Sequence, residues 1–222
     1  MIYAVIDTET TGTRRAYNAS SKNLAFSKSS EIIQVSAILM DSAFCITGAF
    51  SCYCDAISTM SNLEAYRTHQ IRMSDVRASV PMQFFSRVAD QHLGVLFSKD
   101  IMFIGKNVSF DMDMIGAGCR DCVHSWVPPK PTSNIKEKSG RFYFDVSTIY
   151  KNRLSSYKEE FAAERELFFK RNMGLEVWSN APEMHKERRH KYHDAYYDVV
   201  NTYLLFERIR ATTSGGGVAY GR

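Results

Sequence analysis

The 222-residue sequence has no apolar run approaching the roughly 18 residues a membrane span needs. It also has no internal repeat, no heptad pattern and no strong excess of either charge. Twenty-eight Lys plus Arg against 24 Asp plus Glu leave a formal charge of +4, which permits an anionic partner without requiring one. Asp7 and Glu9 interrupt the one N-terminal apolar stretch, so no secretory signal is expected. Cysteine is scarce and odd in number: Cys45, Cys52, Cys54, Cys119 and Cys122 fit a reducing, cytoplasmic compartment better than a disulfide framework. With 45% hydrophobic residues the chain can bury a sizeable core, which excludes disorder, and its length suits about one domain.

Ile2 to Asp7 is short, apolar and β-branched and reads as a buried strand closed by a turn at Gly12. Residues 13–30 are polar and Ser-rich, with Arg14, Arg15, Lys22 and Lys28 as their charges, and read as a basic loop. Strands follow at Glu31–Met40 and Cys45–Cys54, joined by a connection short enough for an antiparallel meander. Ser61 and Glu64 have capping-box spacing, which starts a short helix. A longer helix is expected over Pro81–Phe97, a strand over Ile101–Gly105 and a helix over Ser109–Ala117. After the loop 127–140 come a strand at Arg141–Asp145, an amphipathic helix near 157–172 and a last helix over Asp194–Ile209. Strands first in a meander and then alternating with helices predict an α/β fold, a mixed sheet flanked by helices. The domain is taken as residues 1–210, with an insertion at about 154–190, followed by a flexible tail at 211–222.

Asp7 and Glu9 lie two apart at the end of a strand, so both carboxylates share a face, and two such anions together invite a cation. Thr10, Thr11 and Gly12 follow at once as a tight turn at the carboxyl end of the strand, a place where sites are built. Asp111 falls in the first turn of a helix entered directly from another buried strand, a placement the helix dipole also favours. Asp198 lies on the last helix, in a position ordinary amphipathic polarity would equally allow.

Taken in order, DTETTG at 7–12, NVSFD at 107–111 and HDAYYD at 193–198 resemble the three motifs of the DEDD superfamily of 3′-to-5′ exonucleases. The resemblance covers roughly residues 2–210. His193 stands five before Asp198, the spacing of the histidine branch, which includes the proofreading subunit of bacterial replicative polymerases, ribonuclease T and exonuclease X. EIIQVSAILMD, AYRTHQI and FDVSTIY resemble further family segments. Departures are Lys106 where His is common, Gln34 where Glu is common, the loop 13–30 and the insertion.

The resemblance implies a ribonuclease H-like fold and hydrolysis of phosphodiesters at single-stranded DNA or RNA 3′ ends, releasing nucleoside 5′-monophosphates. Asp7, Glu9, Asp111 and Asp198 would hold two divalent cations, Mg²⁺ or Mn²⁺, and His193 would act as the general base. Thr10, Thr11, Gly12, His69, Asn107 and Phe110 would form the substrate-binding set, although a buried structural role fits His69 equally. Arg188 and Arg189, in the basic run 185–191, would bind phosphates or form a solvated loop. Tyr17, Phe26, Trp126 and Trp178 stand near basic residues, suited to stacking on bases or to filling the core. A polymerase or repair partner is compatible with this activity; a membrane is not expected. The competing expectation is a nucleic-acid-binding or zinc-stabilised module with a decayed site, in which Cys52, Cys54, Cys119 and Cys122 bind zinc.

Overall fold

A nine-residue strand buried on both faces, β1 (Ile2–Thr10), forms the middle of the sheet, as its apolar, β-branched composition dictates. The computed structural model describes residues 1–12, 30–54, 63–72, 74, 76, 94–118, 126–148, 161–172, 176–178 and 193–214. On one side β1 pairs antiparallel with β2 (Ile32–Met40), which pairs antiparallel with β3 (Ile46–Tyr53), giving the expected meander. On the other side β4 (Ile101–Gly105) and β6 (Arg141–Asp145) run parallel to β1. Short edge strands β5 (Lys130–Pro131) and β7 (Glu176–Trp178) complete a seven-stranded sheet of order β5-β6-β4-β1-β2-β3-β7. Four α-helices accompany it among the described residues: α1 (Leu63–His69), α2 (Val108–Gly118), α3 (Ala162–Asn172) and α4 (Ala195–Ser214).

Alternation along β1 divides the core into two layers. Ala4 and Ile6 face a cluster that includes Val35, Phe103, Val108 and Met112, beneath α2. Tyr3 and Val5 face the opposite cluster, where Phe168 and Phe169 of α3 meet Tyr196, Val199 and Phe206 of α4. Each face of the sheet is therefore sealed by helices.

Several boundaries differ from the sequence reading for identifiable reasons. Glu31 stays outside β2 because its N–H donates to the Thr11 hydroxyl. Cys45 stays outside β3 because its N–H donates to the Asp41 carboxylate in the connecting turn. Of the helix expected over Pro81–Phe97, the described part is a single 3-10 turn at Gly94–Phe97; the remainder lies outside the described residues. The helix near 157–172 begins at Ala162, and residues 157–160 lie outside the described residues. The last helix runs five residues past Ile209, so residues 211–214, assigned to the tail on sequence grounds, form its final turn. Trp126 packs beside Phe103, with the Arg141 guanidinium 4.9 Å from its ring, so it fills the core layer under α2. Among the described residues no helix is long and apolar enough to cross a membrane.

Candidate active site

The alternation that divides the core also builds the site. Asp7 and Glu9 continue the odd-numbered side of β1, the side covered by α4, whereas Thr8 continues the even-numbered side, covered by α2. Thr8 accordingly reaches Asp111 in the first turn of α2, its hydroxyl donating to Oδ1 at 2.6 Å. β4 ends at Gly105, and the chain turns directly into α2. A Cβ on Gly105 would sit 2.8 Å from the Val108 Cβ and 3.1 Å from the Ile6 carbonyl oxygen, so the close approach of turn and strand requires glycine. Asn107 follows in the left-handed region (φ 54°), its N–H donating to Asp145 Oδ1 at the end of β6.

From the other end of the chain, His193 (φ 59°) and Asp194 lead into α4, and Asp198 occupies its first turn. His193 Nδ1 lies 3.8 Å from Asp198 Oδ2, with both side chains partly exposed. One ligand atom each from Glu9, His193 and Asp198 fall within 4.8 Å of one another, a grouping able to hold a cation.

These residues border a cavity of about 330 Å³. Asp7, Thr8 and Glu9 of β1, Lys106, Asn107 and Phe110 at the start of α2, and His193 and Asp198 at the start of α4 all line it. Asp111 is 3% exposed and does not border the cavity, but lies close enough to influence Asp7. Burial above all, and then the charges of Asp111, Asp198 and Glu9, raise the Asp7 pKa well above the carboxylate range, while Lys106 pulls it down. Burial likewise raises Asp111, to about 7, against the opposing hydrogen bond from Thr8. Carboxylates crowded until some resist ionisation form a donor set for hard divalent cations such as Mg²⁺ or Mn²⁺.

The remaining sequence-derived candidates are placed differently. Thr10, Thr11 and Gly12 are buried and do not border the cavity. The Thr10 hydroxyl donates to the Gly12 carbonyl and the Thr11 N–H to the Glu31 carbonyl, which ties the turn to the start of β2. His69 is 2% exposed; its Nδ1 accepts the Ile71 N–H and its Nε2 faces the Thr10 carbonyl at 3.2 Å, so it backs the turn. Arg188 and Arg189 lie outside the described residues, as do Cys119 and Cys122. Cys52 and Cys54 are buried in the core layer under α2, where their mutual hydrogen bond and then burial push the Cys54 thiol up.

Sequence reading missed Thr68, Phe161, Asn201, Thr202 and Leu205, which complete the cavity lining. Asn201, Thr202 and Leu205 stand three, four and seven residues after Asp198, so helical spacing alone would have found them.

No protein-family model and no curated protein sequence matches the chain. Solved structures do. Escherichia coli exonuclease I in complex with a dT13 oligonucleotide aligns with TM-score 0.57 at 16% identity, over 96% of this chain and 42% of that one. The zinc-bound form of the E. coli enzyme with single-stranded DNA aligns with TM-score 0.58 at 17% identity, over 96% and 41%. A complex of exonuclease I with SSB-Ct aligns with TM-score 0.57 at 15% identity, over 96% and 42%. The chain thus spans about two fifths of the length of these neighbours, and at this identity the likeness is one of fold. The fold is the ribonuclease H-like mixed sheet.

Proposed function

We propose that the chain is a cytoplasmic, metal-dependent 3′-to-5′ exonuclease of the histidine branch, hydrolysing single-stranded nucleic acid ends and releasing nucleoside 5′-monophosphates. The observation that carries this reading is the convergence of Asp7, Glu9, His193 and Asp198 on one cavity with Asp111 buried close to Asp7. A fold shared with exonucleases supports it, and the oligonucleotide complexes of exonuclease I favour single-stranded DNA as the substrate. The complex of that enzyme with SSB-Ct is consistent with a protein partner, proposed here as a polymerase or a repair protein.

Asp7, Glu9, Asp111 and Asp198 would hold two divalent cations, Mg²⁺ or Mn²⁺, whose positive charge offsets the negative charge developing on the attacking and departing oxygens. His193 takes a proton from the attacking water, its partly exposed imidazole bordering the cavity beside Asp198. Lys106 offers an ammonium group at the rim, where a substrate phosphate can pair with it. Phe110 presents a ring to the same space, suited to packing against a sugar or base, and Asn107 adds amide hydrogen-bonding groups. Thr10, Thr11, Gly12 and His69 support the turn that follows Glu9, whereas Arg188 and Arg189 supply phosphate contacts along the strand.

End-labelled single-stranded DNA and RNA oligonucleotides, incubated with Mg²⁺ or Mn²⁺ and separately with EDTA, test the reading. Stepwise shortening from the 3′ end, cation-dependent and absent in Asp7→Ala, is the expected result. A folded wild-type protein that binds oligonucleotides and shortens neither one would leave a binding module instead.

A further inference from the structure

Behind the His193 turn lies a polar network sealed inside the protein. Asp194 is 1% exposed and Gln34, Ser36, Ser51 and Tyr53 are 0% exposed. Asp194 caps α4, its Oδ1 accepting the Tyr196 N–H at 3.1 Å. Its Oδ2 accepts the Gln34 side-chain N–H at 3.1 Å and the Tyr53 hydroxyl at 3.3 Å. The same Gln34 amide accepts the Ala195 N–H through Oε1 at 3.2 Å, so one side chain from β2 grips both the cap and the first helical residue. Gln34 is held in turn by Ser51, which exchanges a 2.6 Å hydrogen bond with Ser36.

The network's position matters because of what it adjoins. His193 immediately precedes Asp194 and is left-handed (φ 59°), a conformation a non-glycine residue keeps only when its surroundings impose it. The Asp194 carbonyl accepts the Asp198 N–H at 3.0 Å, one helical turn along. Gln34 is also the register partner of Glu9 on β1. A single buried amide therefore ties the β1 carboxylates to the turn that presents His193 and Asp198.

We propose that Gln34 and Asp194 are positioning residues that fix the His193 turn and the start of α4 against Asp7 and Glu9; the effect on turnover rests on the exonuclease reading. Neither touches substrate; they act through the backbone of His193 and the orientation of Asp198.

The donor and acceptor pattern dictates the test. In Asp194→Asn the new amide faces the Gln34 amide donor, and flipping Gln34 would turn its NH₂ onto the Ala195 N–H. In Gln34→Glu two carboxylates face each other. The exchanged double variant, Gln34→Glu with Asp194→Asn, restores a matched set. The carboxylate then on β2 accepts from the amide placed at the helix cap and from the Ala195 N–H. The oxygen of that cap amide still accepts the Tyr196 N–H, and the hydroxyls of Tyr53 and Ser51 rotate to suit.

Each single variant is expected to lower kcat by roughly 10- to 100-fold with KM for a single-stranded oligonucleotide unchanged, and the double variant to recover most of the loss. Tyr53→Phe, which removes one donor to Asp194, serves as the milder second variant and is expected to lower kcat several-fold with KM unchanged. The intraresidue HN–Hα nuclear Overhauser effect of His193, strong for a left-handed residue, should weaken in the single variants and return in the double. Wild-type kcat in the folded single variants, a loss confined to KM, or a double variant no better than the singles would overturn the proposal. The Overhauser measurement needs neither substrate nor cation. A wild-type protein without nuclease activity would thus remove the exonuclease reading while His193 geometry still decides the positioning.

Discussion

Thr8 and Asp111, 103 positions apart in sequence, are joined by a 2.6 Å hydrogen bond in which the hydroxyl donates to Oδ1. That bond opposes the burial that raises the Asp111 pKa to about 7. Thr8→Val removes the donor at nearly constant volume and should raise the Asp111 pKa further. Proton and cation then compete more strongly for Asp111, so the Mn²⁺ concentration needed for half-maximal hydrolysis at pH 7 is expected to rise, by about tenfold for each unit of added pKa, and to recover by pH 9. Mn²⁺ titrations of the hydrolysis rate at pH 7 and pH 9 for the two proteins check this; identical cation requirements at pH 7 would count against it.

The raised carboxylates carry a stability consequence whose sign is fixed by linkage. A carboxyl that binds its proton more tightly folded than unfolded costs nothing below its unfolded pKa, near 4, and destabilises progressively as pH rises through its folded pKa. For Asp111 that window runs from about 4 to about 7; Asp7 adds to it in the same direction. In EDTA the melting temperature should therefore fall across this range, and Asp111→Asn should flatten the fall and stabilise the cation-free protein at pH 8 by a few kcal/mol. Mg²⁺ or Mn²⁺ should raise the melting temperature of the wild type more than that of the variant. Calorimetry with and without EDTA provides the comparison.

Asp7→Ala and Glu9→Ala should each abolish hydrolysis while leaving the far-ultraviolet circular dichroism unchanged, because each relieves repulsion among neighbouring carboxylates while removing a cation ligand. Near-wild-type turnover by a folded Asp7→Ala protein would sink the two-cation assignment.

His193→Ala should retain cation and oligonucleotide binding yet lower kcat by roughly 10²- to 10⁴-fold, the usual worth of a positioned proton transfer. An unchanged kcat with a raised KM would make the imidazole a binding group.

Lys106→Ala should weaken oligonucleotide binding equally across sequences and reduce the slope of log affinity against log salt by about 0.7, the value for one phosphate contact on a single strand. Titrations at several salt concentrations, without divalent cation, decide it; an unaltered slope would return Lys106 to electrostatic tuning of Asp7.

Much of this was legible in the sequence because the informative residues obey short-range rules. Arg141–Asp145 was delimited to the residue, since the Pro- and Lys-rich loop before it marks where the strand can begin. Asp7 and Glu9 share a face by parity, and Asp111 enters α2 directly from a strand. What escaped depends on tertiary context. The burial of His69 behind Thr10 follows from where α1 packs, which no local pattern encodes. β7 pairs with β3 across more than 120 positions, and its three residues lack the length to announce a strand. The final turn of α4 contains Thr212 and Thr213, residues of modest helix propensity; there the Thr212 hydroxyl donates to the Ile209 carbonyl.

The cavity draws on residue 7 at one end and on residues 193 to 205 at the other. α4, which brings His193 and Asp198 with it, packs on β1 and β2. A chain emerging from the ribosome therefore carries Asp7, Glu9 and Asp111 long before it carries the side chains that complete them. Until that last helix is synthesised and docks on β1 and β2, the cavity lacks residues 193 to 205 from its lining.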